Sequence, residues 1–180
     1  LVLQGMGVLT GFDPQTGAKL WETEFEGLFT IPSPAAAGDL VLAASRGMIA
    51  VKPAANGVAG IAWKSPKLGS STPSPVVVNG RVYTLRNDVL VCGDVADGKV
   101  LWDLRLKGAF SASPVYSDGK LFAVNEDGTT FVVQPGAEPK LLATNELKDT
   151  ILATPAIANG SMYLRSDKNL YRLAVSKKSS

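Results

Sequence analysis

Three arginines, Arg46, Arg86 and Arg165, stand at nearly the same offset after a Ser-Pro or Thr-Pro pair. A guanidinium is a planar fork of N–H donors that can grip two oxygens of a carboxylate or phosphate at once, so arginines repeated on neighbouring units could form a positive rim for an anion. Asn125 and Glu126 take that place in a further unit. The same positions can equally be solvated turns. Other chemistry is more restricted. The 180 residues include no histidine, which excludes His-based acid/base work, Ser-His-Asp or Cys-His nucleophiles, and His-ligated metals. Cys92 stands alone: it cannot form an internal disulfide, and with no CxxC there is no zinc knuckle or redox pair, so it reads as a small buried strand residue. Any catalysis would have to rest on carboxylates, Lys, Tyr or a bound cofactor. The acids Asp88, Glu126, Asp127 and Asp167 fall in separate turns, so they predict no catalytic or metal cluster.

The elements that would position these residues follow from composition and period. With 46% hydrophobic and 19% charged residues the chain can bury a core, and 18 Gly with 11 Pro favour many short strands joined by tight turns, an all-β class. The net charge of +2 owes much to Lys177 and Lys178 in a Ser-rich tail. Lys and Arg do not cluster among aromatics, so nucleic acid is not an expected partner. No apolar run of about 18 residues is present, so no transmembrane segment is expected.

Ser33-Pro34, Ser74-Pro75, Ser113-Pro114 and Thr154-Pro155 lie 41, 39 and 41 residues apart, and Trp21, Trp63 and Trp102 precede the first three by 13, 12 and 12. The tryptophan position of the next unit falls on Ala143. After each proline comes a short apolar stretch and a turn at Gly38-Asp39, Asn79-Gly80, Asp118-Gly119 or Asn159-Gly160, the chemistry of tight antiparallel hairpins. Two further strands and a fourth carrying the tryptophan complete a unit of about 40 residues. Four strands per unit at that period predict a β-propeller blade. The predicted organisation is one propeller over 1–175, with a partial blade at 1–26, whole blades at 31–68, 73–107 and 112–147, and a partial blade at 153–175, followed by a polar tail at 176–180. That amounts to about 18 strands in an incomplete ring.

The stretches "GVLTGFDPQTGAKLWE" (7–22) and "VLVCGDVADGKVLWD" (89–103) resemble the PQQ-type β-propeller repeat of quinoprotein dehydrogenases and of the BamB-like lipoprotein of outer-membrane assembly. Asp13, Thr16, Gly17 and Trp21 carry the likeness in one unit, and Asp94, Gly98 and Trp102 in another; the unit with Trp63 departs through a longer turn at Asn56-Gly57. These residues, with Pro34, Pro75, Pro114 and Pro155, are expected to be structural: indoles packed between blades, prolines opening inner strands, Asp side chains capping turns.

The resemblance implies two alternatives. One is a non-catalytic scaffold that binds a protein or small ligand at a ring face; the other is a PQQ-dependent alcohol or polyvinyl-alcohol dehydrogenase, with PQQ and calcium, whose active site is completed by further blades. Both imply a periplasmic or extracellular setting. "LVLQGMG" at the start reads as the inside of a domain, and open blade faces need cover. The chain is therefore expected to be the C-terminal half of a longer propeller, and a homodimer closing the ring is the second arrangement the pattern allows.

Overall fold

In the computed structural model, residues 1–25 and 31–174 are described; positions 26–30 and 175–180, which include position 26 of the first partial blade, position 175 of the last and the tail at 176–180, lie outside the described residues. Every regular element among the described residues is a strand. The first sheet holds β1 (Val2–Gln4), β2 (Val8–Phe12) and β3 (Lys19–Glu24). The second contains β4 (Ala35–Ala37), β5 (Leu40–Ala44), β6 (Met48–Lys52) and, beyond the two-residue β7 (Gly57–Val58), β8 (Gly60–Ser65). The third runs β9 (Val76–Val78), β10 (Arg81–Arg86), β11 (Val89–Asp94) and β12 (Val100–Arg105). The fourth runs β13 (Val115–Ser117), β14 (Lys120–Val124), β15 (Thr129–Gln134) and β16 (Lys140–Glu146), and the fifth β17 (Ala156–Ala158), β18 (Ser161–Arg165) and β19 (Leu170–Ala174). Apart from β7, the strands of each sheet form an antiparallel meander in chain order. The sheets are the blades of a β-propeller whose ring is not closed.

Of the nineteen strands among the described residues, β7 is the one the repeat pattern did not predict. The longer turn at Asn56-Gly57 places β7 against the first sheet, where it pairs parallel with β3, and Ala59 N–H donates to Glu22 O at 3.1 Å. The second unit thus lends the first sheet its outer edge.

Burial explains the strand compositions. The middle strands β5, β6, β10 and β11 are covered on both faces by neighbouring blades and read as near-continuous apolar runs, such as "LVLAA" and "VLVCGD". The outer strand β16 is largely exposed and carries Lys140, Thr144, Asn145 and Glu146. Each pair of adjacent blades encloses its own core: Leu9, Trp21 and Ile49 between the first and second, Leu42, Met48 and Val82 between the second and third, and Tyr83, Trp102 and Phe131 between the third and fourth.

Every complete third-to-outer strand pair is interrupted by a register shift at one place. The residue just before that shift lies opposite the tryptophan: Gly11 with Trp21, Ala50 with Trp63, Cys92 with Trp102, and Val132 with Ala143. A small residue lies beneath each indole, and a larger one where the indole is absent. A Cβ at Gly11 would overlap the Trp21 ring. The indoles reach the next blade: Trp63 Nε1–H donates to Val95 O at 2.9 Å, and Trp102 Nε1–H to Gly136 O at 3.1 Å. The Trp63 ring lies so close to Gly98 that a Cβ there would overlap it.

Near the axis, the innermost strands β4, β9 and β13 neighbour one another. The residue before each proline links the blades in a belt. Ser33 N–H donates to Ser74 Oγ at 2.9 Å, Ser74 N–H to Ser113 Oγ at 2.8 Å, and Ser113 N–H to Thr154 Oγ1 at 3.0 Å. Pro75, Pro114 and Pro155 are buried beside it, at the entry to an inner strand where a missing N–H costs nothing.

Candidate functional site

Arg46 lies in the β5–β6 turn, and Arg86 ends β10. Both side chains line one cleft of about 520 Å³ together with Ser45, Gly69, Ser70, Ser71 and Asn87. The walls come from the turns of the second and third blades and from the segment joining them. That segment is pinned: Ser70 N–H donates to Ser45 O at 2.8 Å, and the Ser70 hydroxyl bonds Pro73 O at 2.6 Å and Leu85 O at 2.9 Å. Gly69 lies so near the backbone of Arg46 that any side chain there would collide with it. The Arg46 turn is therefore held against the connection by packing as well as by hydrogen bonds.

Among the described residues no carboxylate pairs with either guanidinium of this cleft. Arg86 Nη1–H donates to Pro66 O at 3.0 Å, and its other N–H groups, with the whole Arg46 guanidinium, have no protein partner among the described residues. Among the described residues no carboxylate lines the cleft; Asp88 nearby is paired with Arg105. Two exposed guanidinium groups sharing a cleft favour an oxyanion that can accept from both.

The third arginine is apart from this pair. Arg165 ends β18, its Nε–H turned back onto Ser166 O at 3.0 Å, and it does not line the cleft. Asn125, at the corresponding turn of the fourth blade, is buried: its Nδ2–H donates to Lys107 O at 2.9 Å and its Oδ1 accepts Thr129 N–H at 2.8 Å. Glu126 Oε1 accepts the Ser111 hydroxyl at 2.6 Å. This turn ties down the link from the third blade. The structure thus brings together two of the three arginines and adds Ser70, Ser71 and Asn87, which carry no repeat signal.

Of the structural markers, Asp13 Oδ1 accepts the N–H groups of Gln15 at 2.7 Å and Thr16 at 3.1 Å, which hold its carboxyl below the ordinary range. Asp94 Oδ1 accepts Ala96 N–H at 2.8 Å in the matching turn. Burial pushes the Cys92 thiol up to about 11 and the Tyr83 hydroxyl up to about 12. Asp149 accepts hydrogen bonds from Ser166, Asn169 and Tyr171 that hold it well below the ordinary range, and its bond raises Tyr171. Calcium with PQQ would need converging oxygen donors. Among the described residues no three His, Cys, Asp or Glu side chains gather as a metal ion requires, and Asp88 and Glu126 are engaged elsewhere, so these residues do not fit that group.

Sequence comparison decides the family. Residues 5–135 match the family model described as outer membrane protein assembly factor BamB. The chain belongs to this BamB-like family of PQQ-type propellers. No curated protein matches it in sequence. Among solved structures, BamB from Moraxella catarrhalis superposes with a TM-score of 0.74 at 18% identity, over 93% of this chain and 52% of that one. The computationally designed Ika8 protein superposes with a TM-score of 0.74 at 11% identity, over 97% of this chain and 57% of that one. The BamB-like chain thus spans about half the length of the structures it matches, and at these identities the likeness is one of fold.

Proposed function

We propose that this BamB-like chain is a non-catalytic scaffold that binds a protein partner outside the cytoplasm, with the cleft of Arg46 and Arg86 receiving acidic side chains of that partner. The match over residues 5–135 to a family described by an assembly role carries this reading. The cleft supports it with two guanidinium groups and, among the described residues, no carboxylate in its lining. The same family description supports a periplasmic setting for the proposed scaffold.

The test is calorimetric titration with an Asp/Glu-rich peptide at low salt. Charge-assisted hydrogen bonds contribute roughly 1.5–3 kcal/mol each, so Arg46→Ala and Arg86→Ala should each weaken binding about tenfold or more. Raising the salt should weaken it further. Unchanged binding in the double variant would refute the cleft. Dye reduction on adding PQQ and Ca²⁺ would refute the non-catalytic reading and favour the dehydrogenase.

A further inference from the structure

A second cavity, of about 610 Å³, lies between the fourth and fifth blades, on an interface separate from the arginine cleft. Its walls are mainly apolar: Phe122 and Val132 on one side, Ile157, Met162 and Leu173 on the other. Ser117, Thr130, Asn145 and Ser161 place polar groups in the lining, and the paired Asp118 and Lys120 sit on it as well.

The preceding interface shows why there is space. In the third blade, Tyr83, Cys92 and Trp102 occupy one row across β10, β11 and β12. The indole of Trp102 spans Cys92 and comes within 5.8 Å, centroid to centroid, of the Tyr83 ring. The same row in the fourth blade is Phe122, Val132 and Ala143. Two further apolar residues of the third blade also give way: Leu90 and Leu104 are paired in register, and Thr130 and Asn145 hold the matching positions. Among the described residues, eleven buried residues form the core between the third and fourth blades and three form that between the fourth and fifth. A ring system is missing from a face whose three counterparts each carry an indole.

We propose that this cavity is a binding site for a small planar aromatic ligand of indole type, stacked over Val132 toward Phe122 and carrying a hydrogen-bonding substituent for Asn145 or a serine hydroxyl. The volume lies within the range of roughly 300–1,000 Å³ common for small-molecule sites, and a mainly apolar wall with a few polar groups is their usual chemistry. The ligand would occupy the place that Trp102 fills one blade earlier. The assignment does not depend on the scaffold reading, because the two sites share no residue.

The test uses indole as the probe, titrated into methyl-labelled protein and followed by NMR. Shifts should be confined to methyl groups lining this cavity, those of Val132, Ile157, Met162 and Leu173 above all, leaving Leu42 and Leu85 in the other interfaces unmoved. Ala143→Trp supplies an internal indole and should weaken binding at least about tenfold. Leu173→Ala removes one wall at a position already 44% exposed, so folding tolerates it, and it should weaken binding about threefold. If Ala143→Trp fails to fold, Leu173→Ala decides alone. Absence of shifts, shifts spread over every interface, or wild-type affinity in the folded variants would overturn the site.

Discussion

Gly17 and Gly98 offer a matched pair for measuring what an indole does between blades. Both lie at the end of the same turn: Gly17 N–H donates to Asp13 O and Gly98 N–H to Asp94 O, each at 2.9 Å. Their φ angles are +73° and +71°. They differ in what a side chain would meet, which is nothing within 4 Å at Gly17 and the Trp63 ring at Gly98. Alanine at either site adopts a left-handed conformation at a cost of roughly 1–2 kcal/mol, and the smaller gain from stiffening the unfolded chain is common to both. At Gly98 the ring must also move, losing the bond to Val95 O and part of its burial, about 2 kcal/mol more. Gly98→Ala should therefore destabilise by about 3–4 kcal/mol and Gly17→Ala by about 1–2, read from urea unfolding followed by circular dichroism. In a Trp63→Ala background the Gly98→Ala cost should fall to that of Gly17→Ala. Equal costs in the two single variants, or a cost at Gly98 indifferent to the loss of Trp63, would refute the proposed inter-blade anchor.

Three other outcomes follow from the structure. Ser113→Ala orphans Ser74 N–H and should cost about 1–3 kcal/mol in denaturant unfolding, whereas Ser113→Thr keeps the acceptor, as Thr154 does naturally, and should cost much less. Cys92 is buried with its thiol pushed up to about 11, so it is protonated at neutral pH; a colourimetric thiol reagent should leave the native protein untouched and label it as it unfolds. Asp149 is depressed in the folded state, so the unfolded chain binds its proton more readily. Its contribution should be intact above about pH 4, the ordinary carboxylate range, and fade as the pH falls below it; Asp149→Asn should flatten that part of the stability profile.

The period was legible because each blade solves the same packing problem with the same residues, and a lost marker could still be placed: Ala143 occupies the tryptophan register although it shares none of its chemistry. Three features were not legible. The serine before each proline read as a companion to the proline, yet its hydroxyl bonds a residue about forty positions away, a distance only the ring geometry closes. Strand β7 has two residues and pairs parallel with another unit, so it leaves no period. The arginines were found by their offset, but equivalence between blades spreads residues around a ring as readily as it gathers them, and only Arg46 and Arg86 share a cleft.

The serine belt also has a direction. At every step the amide belongs to the earlier blade and the hydroxyl to the later one, so Ser33 enters the belt as a donor alone and Thr154 as an acceptor alone. A stack of blades joined in this way is vectorial, like a polymer with unlike ends, and its joints are head-to-tail. Such joints need no reciprocal symmetry, so blades can be added one at a time along the gene while the rotation per step sets how many complete a circle. The small hydroxyl near the axis thus records, in one hydrogen bond per blade, the order in which the chain must wind.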